Sequence, residues 1–213
     1  MNRILLLLLL SALLIPAGCG GGLVADIPTE FDSLINDGWL KYNQGKFDDA
    51  YRYFTKAVEA FPQKPEGYIG SGWTLLRRQH PDSASVVFKL GFGYITSAAD
   101  SVDALSGLAG SYLASGNNNK AAGVAKEYPV KDIDKGFPLK KHDFLLEPGH
   151  IEIVQSMAFY RLGQFSAKEK ADPDNSVYHL NRTLAIPYTY GTPQELMEKI
   201  VEYLDRTKGE TVL

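Results

Sequence analysis

The side chains best suited to metal binding or acid–base chemistry are concentrated in one part of the chain. These residues are Asp132, Asp134, His142, Asp143, His150 and Glu152. A zinc site needs three or four ligands that converge on one point, and the spacing of these residues does not require them to converge. The two other histidines, His80 and His179, lie far away in the sequence. We therefore interpret the histidines as ordinary surface residues and predict no metal and no cofactor.

Motifs for other kinds of chemistry do not occur in the sequence. The chain has no Gly-x-Ser-x-Gly, Cys-x-x-Cys or His-Glu-x-x-His motif and no phosphate-binding loop. The segment 172–175, Asp-Pro-Asp-Asn, looks like part of a calcium loop but lacks its glycine and its closing glutamate. A turn between two helices is the better interpretation. The sequence predicts no catalytic residue and a protein that is not an enzyme.

The single cysteine, Cys19, follows a segment with the features of a targeting signal. Arg3 supplies a positive charge, residues 4–15 are apolar, and small residues lead from Pro16 to the cysteine. An apolar run of this length is short for a membrane span and is typical of a secretory signal. The alternative is that Cys19 is an incidental thiol in a cleaved signal or an uncleaved anchor helix.

The segment 14–19, Leu-Ile-Pro-Ala-Gly-Cys, resembles the lipobox of bacterial lipoproteins, with Pro16 where that family usually has a branched apolar residue. The resemblance implies that residues 1–18 are a signal peptide. It also implies that Cys19 carries a diacylglycerol on its sulfur and a fatty acid, such as palmitate, on its amino group. Residues 19–28, with three glycines after the cysteine, would be a flexible tether. Glycine after the cysteine implies the outer membrane, with the domain facing the periplasm.

Composition restricts the possible partners of the rest of the chain. The formal net charge is −3 for 213 residues, and loss of Arg3 with the signal peptide makes it one unit more negative. A mildly acidic protein is a poor ligand for nucleic acid. No cysteine remains for a disulfide, so stability must come from packing, and the chain is long enough for one continuous core.

A repeated pattern in residues 31–91 indicates the fold. Four residues recur 34 positions later in the same order: Gly38, Trp39, Ala50 and Phe54 match Gly72, Trp73, Ala84 and Phe88. A period of this length is typical of a solenoid built from pairs of helices. Small residues such as Ala50 allow two helices to pack closely, and Phe54, one turn later on the same face, fills the space beside the crossing.

The order Gly45, Phe47, Ala50, Phe54, Ala57 and Pro62 resembles the tetratricopeptide repeat. A third unit follows in phase over 103–128, and a fourth first helix over 149–162. Prolines interrupt residues 129–148, which we expect to form a small β-hairpin or an ordered loop. Residues 177–190 have no helical pattern and are predicted to be irregular.

The last helix has a strong start signal, Thr192-Pro193-Gln194-Glu195, and its apolar stripe should cap the open end of the stack. The stripe consists of Leu196, Ile200, Tyr203 and Leu204. The sequence thus predicts an all-α fold, an α-α superhelix of three to four helix pairs. The repeat domain covers 29–171, and an irregular segment with a capping helix covers 172–213.

In tetratricopeptide proteins the first helices line a concave groove that holds a peptide. The resemblance places six residues there: Asn36, Trp39, Tyr42, Asn43, Trp73 and Arg77. The alternative for Trp39 and Trp73 is the core between repeats. We expect a scaffold for other envelope proteins or peptides. The alternative is an envelope enzyme or accessory factor for peptidoglycan or polysaccharide, with a site in the 128–152 loop.

Overall fold

A computed structural model of the chain describes residues 29–128, 148–184 and 190–208, with side chains for 29–128, 151–184 and 190–203. Within these ranges the chain forms nine α-helices, one 3-10 helix and no strand. The first six helices are α1 Glu30–Asn43, α2 Phe47–Ala60, α3 Pro65–Arg77, α4 Pro81–Phe92, α5 Ala98–Ala114 and α6 Asn118–Glu127. The others are α7 Pro148–Arg161, the 3-10 helix Ala167–Glu169, α8 Ser176–Leu184 and α9 Pro193–Lys208.

The helices pack as consecutive pairs. In each of α1–α2, α3–α4, α5–α6 and α7–α8, the two helices contact each other. The second helix of each of the first three pairs also contacts the first helix of the next pair. This is an α-α superhelical repeat arrangement, and it confirms the predicted fold class.

Glycines form the sockets that hold the repeat phenylalanines. Phe54 on α2 is fully buried between two first helices. A Cβ at Gly38 of α1 or at Gly70 of α3 would lie 2.5 Å or 2.3 Å from Phe54 Cε1. Because only hydrogen atoms point at the ring from these positions, the helices can approach closely. The repeated glycine and phenylalanine therefore belong to one packing unit.

The boundaries of the first pair follow the predicted local signals. Thr29 caps α1: Asp32 N donates to Thr29 Oγ1 at 3.2 Å, and Thr29 N donates to an Asp32 carboxylate oxygen at 3.1 Å. Gly45 has a φ of +71°, a left-handed conformation that glycine adopts without strain. It lies in the turn that ends α1 and leads into α2.

The sequence prediction was wrong for part of the C-terminal region. Residues 177–190 were expected to be irregular, but α8 occupies Ser176–Leu184. The turn predicted at 172–175 does precede it, and Asn175 starts the helix by accepting a hydrogen bond from Val177 N at 2.8 Å. Val177 and Leu180 are buried three residues apart and pack toward α7. This short helix supplies the second member of the fourth pair.

The final helix, α9, packs against α7 and α8. Thr192 and Glu195 exchange hydrogen bonds as predicted: Glu195 N donates to Thr192 Oγ1 at 3.2 Å, and Thr192 N donates to Glu195 Oε2 at 2.9 Å. Leu196, Ile200 and Tyr203 are buried in a cluster with residues of α7 and α8. The side chain of Leu204, the hairpin or loop predicted at 129–148 up to residue 147, and Cys19 lie outside the described residues.

Candidate partner-binding surface

The first helices form the inner layer of the array. α1 contacts α3, α3 contacts α5, and α5 contacts α7. Among the described helices, α2 does not contact α4, and α4 does not contact α6. The first helices are the more closely spaced layer. The side of these helices that faces away from the second helices is therefore the concave surface of the superhelix. The six predicted groove residues all belong to α1 and α3.

The two aromatic groove residues of α1 are buried. Trp39 and Tyr42 have 6% exposure each, and their rings meet edge to face at 5.3 Å. Trp39 also packs against Phe54 with ring centroids 4.9 Å apart. Such pairs stabilise a core beyond the area they bury. These two side chains therefore hold α1 against α2.

Trp73 on α3 links the second repeat to the third. It is 7% exposed, packs edge to face on Phe88 at 5.7 Å, and its Nε1 donates a hydrogen bond to Asp103 Oδ1 of α5 at 2.5 Å. Asp103 is fully buried, so this hydrogen bond joins α3 to α5 inside the core. Burial favours the inter-repeat core for both tryptophans.

The polar groove residues have more solvent access. Asn36 and Asn43 are exposed on α1. Arg77 is half-buried on α3, with its guanidinium carbon 5.0 Å from the centroid of the Phe47 ring of α2. This stacking aligns the side chain across the first two repeats. Binding of a partner by these residues stays a prediction.

His179 is buried, contrary to the prediction that the histidines lie on the surface. It is 6% exposed on α8, and its ring stacks on Phe159 of α7 with centroids 5.3 Å apart. Its Nδ1 lies 2.5 Å from Glu152 Oε2, and its Nε2 lies 2.9 Å from the Pro173 carbonyl oxygen. Both ring nitrogens therefore lie within hydrogen-bonding distance of an oxygen atom of another residue.

The carboxylate of Glu152 contacts two side chains of α8. Arg182 Nε donates to Glu152 Oε1 at 2.7 Å, while His179 occupies the other oxygen. Burial raises the pKa of Glu152, but the hydrogen bonds and charges of His179 and Arg182 together lower it below its ordinary value of 4.5. The cluster therefore joins α7 to α8. Sequence reasoning missed the pair because Glu152 and His179 are 27 residues apart, beyond any helical spacing.

The enzyme alternative depended on convergence of His142, Asp143, His150 and Glu152. His142 and Asp143 lie outside the described residues, as does the side chain of His150. The carboxylate of Glu152 contacts His179. In the part of the chain that the structure describes, no group of three His, Cys, Asp or Glu side chains could hold a metal ion.

The outer side of α9 carries a second surface that the sequence did not indicate. Met197 and Val201 lie one helical turn apart, and with Tyr160 of α7 they line a shallow groove edged by Glu198 and Glu202. Val201 is 44% exposed. An end cap of a helical repeat is normally polar on this side. Met197 and Val201, which flank the buried stripe in the sequence, were the available signal.

The chain matches no protein-family model, and no curated protein is significantly similar to it in sequence. Across the described ranges, no helix is both long enough and apolar enough to cross a bilayer.

Proposed function

We propose that the protein is a lipid-anchored, non-enzymatic scaffold of the bacterial cell envelope, in which a tetratricopeptide-like array holds other envelope proteins or peptides. The observation that carries this proposal is the order of features along the chain. A lipobox-like segment ends at Cys19, nine residues follow, and a capped helical repeat begins at Thr29. This order suits a protein whose folded part works close to a membrane without entering it.

The repeat architecture supports a role in binding. Stacked helix pairs create an extended concave surface without requiring a catalytic pocket. On that surface, Asn36 and Asn43 offer amide donors and acceptors, and Arg77 offers a planar set of donors. These groups match the backbone and carboxylate groups of an extended acidic or neutral peptide. Trp39, Tyr42 and Trp73 are buried in the same two helices.

Site-specific photo-crosslinking in the native bacterium tests this proposal. A photoreactive residue at Asn43 should give discrete protein adducts, because Asn43 is exposed on the concave layer. The same residue at Lys56, which is exposed on α2 in the outer layer, is the control. Arg77→Glu should remove most of the Asn43 adduct, whereas Lys89→Glu, on the exposed face of α4, should not. Circular dichroism verifies that both variants fold.

Equal adducts from Asn43 and Lys56, or an Asn43 adduct that is insensitive to Arg77→Glu in a folded protein, would contradict a concave binding surface. A reaction product accumulating in extracts with the purified protein would instead favour the enzyme alternative.

A further inference from the structure

The array has two edges of different chemistry. Consecutive helices are joined by short connections and are therefore antiparallel. The turns between repeats lie along one edge, which we call the junction edge, formed by residues 29–31, 61–68, 90–98 and 128. The turns within the pairs lie along the opposite edge, the hairpin edge, formed by residues 43–46, 78–81 and 115–118.

The junction edge is aromatic. Three pairs of rings along this edge have centroids less than 6 Å apart, and two of these pairs join one junction to the next. The pairs are Phe31–Phe61 at 5.4 Å, Tyr68–Tyr94 at 5.6 Å and Phe92–Tyr128 at 4.6 Å. In each pair at least one ring is half-buried or exposed. Phenylalanine, tyrosine and tryptophan do not occur in the hairpin-edge ranges. Of the two rings directly next to these ranges, Tyr42 is buried and Phe47 is covered by the Arg77 guanidinium.

Exposed apolar side chains also lie on α4 and just after it, next to the aromatic pairs of the junction edge. Leu90 is 55% exposed near the end of α4, and Tyr94 is 40% exposed just beyond it. Val86, one turn before Leu90 on the same helix face, is 51% exposed. Tyrosine rings with a wet hydroxyl and an apolar body favour the boundary between water and lipid.

The anchor attaches to the same edge. Thr29 caps the start of α1, and Phe31 contacts Phe61 at the first junction. The ten residues 19–28 can span at most about 35 Å when fully extended. A lipid on Cys19 therefore keeps the bilayer within that distance of the junction edge, at an effective concentration on the order of millimolar. A weak surface contact is enough under this condition.

We propose that the junction edge rests on the headgroup region of the bilayer that holds Cys19, so that the hairpin edge points away from the membrane. This inference rests on the lipid anchor of the proposed function. Leu90, Tyr94 and the exposed parts of Tyr68 and Phe61 enter the interface. The orientation leaves the concave surface perpendicular to the membrane and open to proteins along it.

The charged residues of the junction edge indicate which lipid headgroup it would bind. Glu30, Asp32, Glu66 and Asp100 lie in the first turns of α1, α3 and α5, where they complement the helix dipoles. They would repel an anionic surface but can pair with the ammonium groups of zwitterionic headgroups. Lys64 and Lys89, both exposed, can reach phosphates. The edge therefore fits phosphatidylethanolamine better than phosphatidylglycerol.

Depth-dependent quenching tests the orientation in the acylated mature protein. Gln63 and Gln44 are exposed glutamines in turns of opposite edges. Each is replaced by cysteine and labelled with a fluorophore. Because Cys19 is the only native cysteine and its thioether blocks its sulfur, the introduced thiol is the only free one. The protein is placed in vesicles of phosphatidylethanolamine and phosphatidylcholine that contain nitroxide-labelled lipid.

We expect strong quenching of the Gln63→Cys label and little quenching of the Gln44→Cys label. Leu90→Glu should reduce the quenching at residue 63, whereas Leu40→Glu should not. Leu40 is a matched control because it is 52% exposed and lies near the hairpin-edge end of α1. Replacing phosphatidylcholine with phosphatidylglycerol should weaken the quenching at residue 63.

Equal quenching of the two labels, or none, would overturn the proposed orientation. The intact mass of the same sample reports acylation of Cys19 independently. An acylated protein without selective quenching would leave the anchor in place and remove the docking surface, whereas an unmodified Cys19 would remove the anchor and, with it, the orientation that depends on the anchor.

Discussion

At the scale of single residues, the stability of the array depends on glycines that touch aromatic rings. Phe88 is fully buried, and a Cβ at Gly107 of α5 would lie 2.1 Å from its Cζ atom. Gly110, one turn later on the same helix, has no atom within 4 Å of the corresponding position. The same substitution at these two positions therefore separates close packing from helix propensity.

We predict that Gly107→Ala lowers the free energy of unfolding by about 1–3 kcal/mol, because the added methyl group overpacks the Phe88 socket. Gly110→Ala should raise it by up to about 1 kcal/mol, since alanine is the better helix former. Urea denaturation followed by circular dichroism measures both values. Equal effects of the two variants would mean that Phe88 does not pack against α5 as described.

Glu152 gives the protein a pH-dependent contribution to stability. The folded pKa of Glu152 lies below its ordinary value of 4.5 because of His179 and Arg182, although burial opposes this shift. A lowered folded pKa contributes stability that is complete above about pH 4.5 and is lost as the pH falls through the folded value.

We predict that Glu152→Gln destabilises the protein at pH 7 by about 1–3 kcal/mol, because the buried His179 and the exposed Arg182 lose their carboxylate partner. The difference from the wild type should shrink as the pH falls from about 4.5 toward 3. Unfolding free energies across this range measure it, and Glu59→Gln, an exposed position on α2, is the control. A difference that stays constant with pH would show that the ion pairs do not form.

At the scale of helices, the terminal signals decide where each element begins. α9 begins with Pro193, and Thr192 and Glu195 exchange backbone hydrogen bonds ahead of it. Among the described helices, α9 contacts α7 and α8, and we expect its first turn to depend on this cap.

We predict that Thr192→Ala costs about 1 kcal/mol and accelerates amide hydrogen exchange in the first turn of α9, because one backbone donor loses its acceptor. Thr192→Ser keeps a hydroxyl and should retain most of the protection. Exchange measured by mass spectrometry distinguishes the two variants. Unchanged protection in Thr192→Ala would mean that packing alone fixes the start of the helix.

The sequence predicted the elements whose signals are local. The 34-residue period identified the first two pairs because Ala50, Phe54 and their copies occupy equivalent contacts. The caps at Thr29 and Thr192 were predicted because their hydrogen bonds join residues three positions apart. α8 was missed because only nine residues form it, too few for a clear helical period, and because its burial depends on α7.

For the predicted groove residues, too, the sequence indicated the helix face but not the burial of each side chain. Helical phase placed Trp39, Tyr42 and Trp73 on the inner layer, but their depth depends on neighbours far away in sequence. The hydrogen bond from Trp73 to Asp103 joins residues 30 positions apart, and no pattern in one repeat shows it. The exposed Asn36 and Asn43 and the stacked Arg77 remain as the polar part of the surface.

At the scale of the whole molecule, we propose that a helical repeat is joined to a membrane anchor. The array supplies a concave layer of first helices, an aromatic edge at the junctions and a polar edge at the hairpins. The anchor at Cys19 would fix which of these faces the membrane. Partner binding by the concave layer, the orientation of the array on the membrane and the location of the protein can therefore be tested separately. The location depends on the modification of Cys19.

The most direct test of this claim is the intact mass and membrane fractionation of the native protein beside a Cys19→Ala variant. We expect that the native protein lacks residues 1–18, carries acyl chains on Cys19 and sediments with membranes. We expect that the Cys19→Ala variant carries no acyl chain. A native protein with an unmodified Cys19 in the soluble fraction would contradict it.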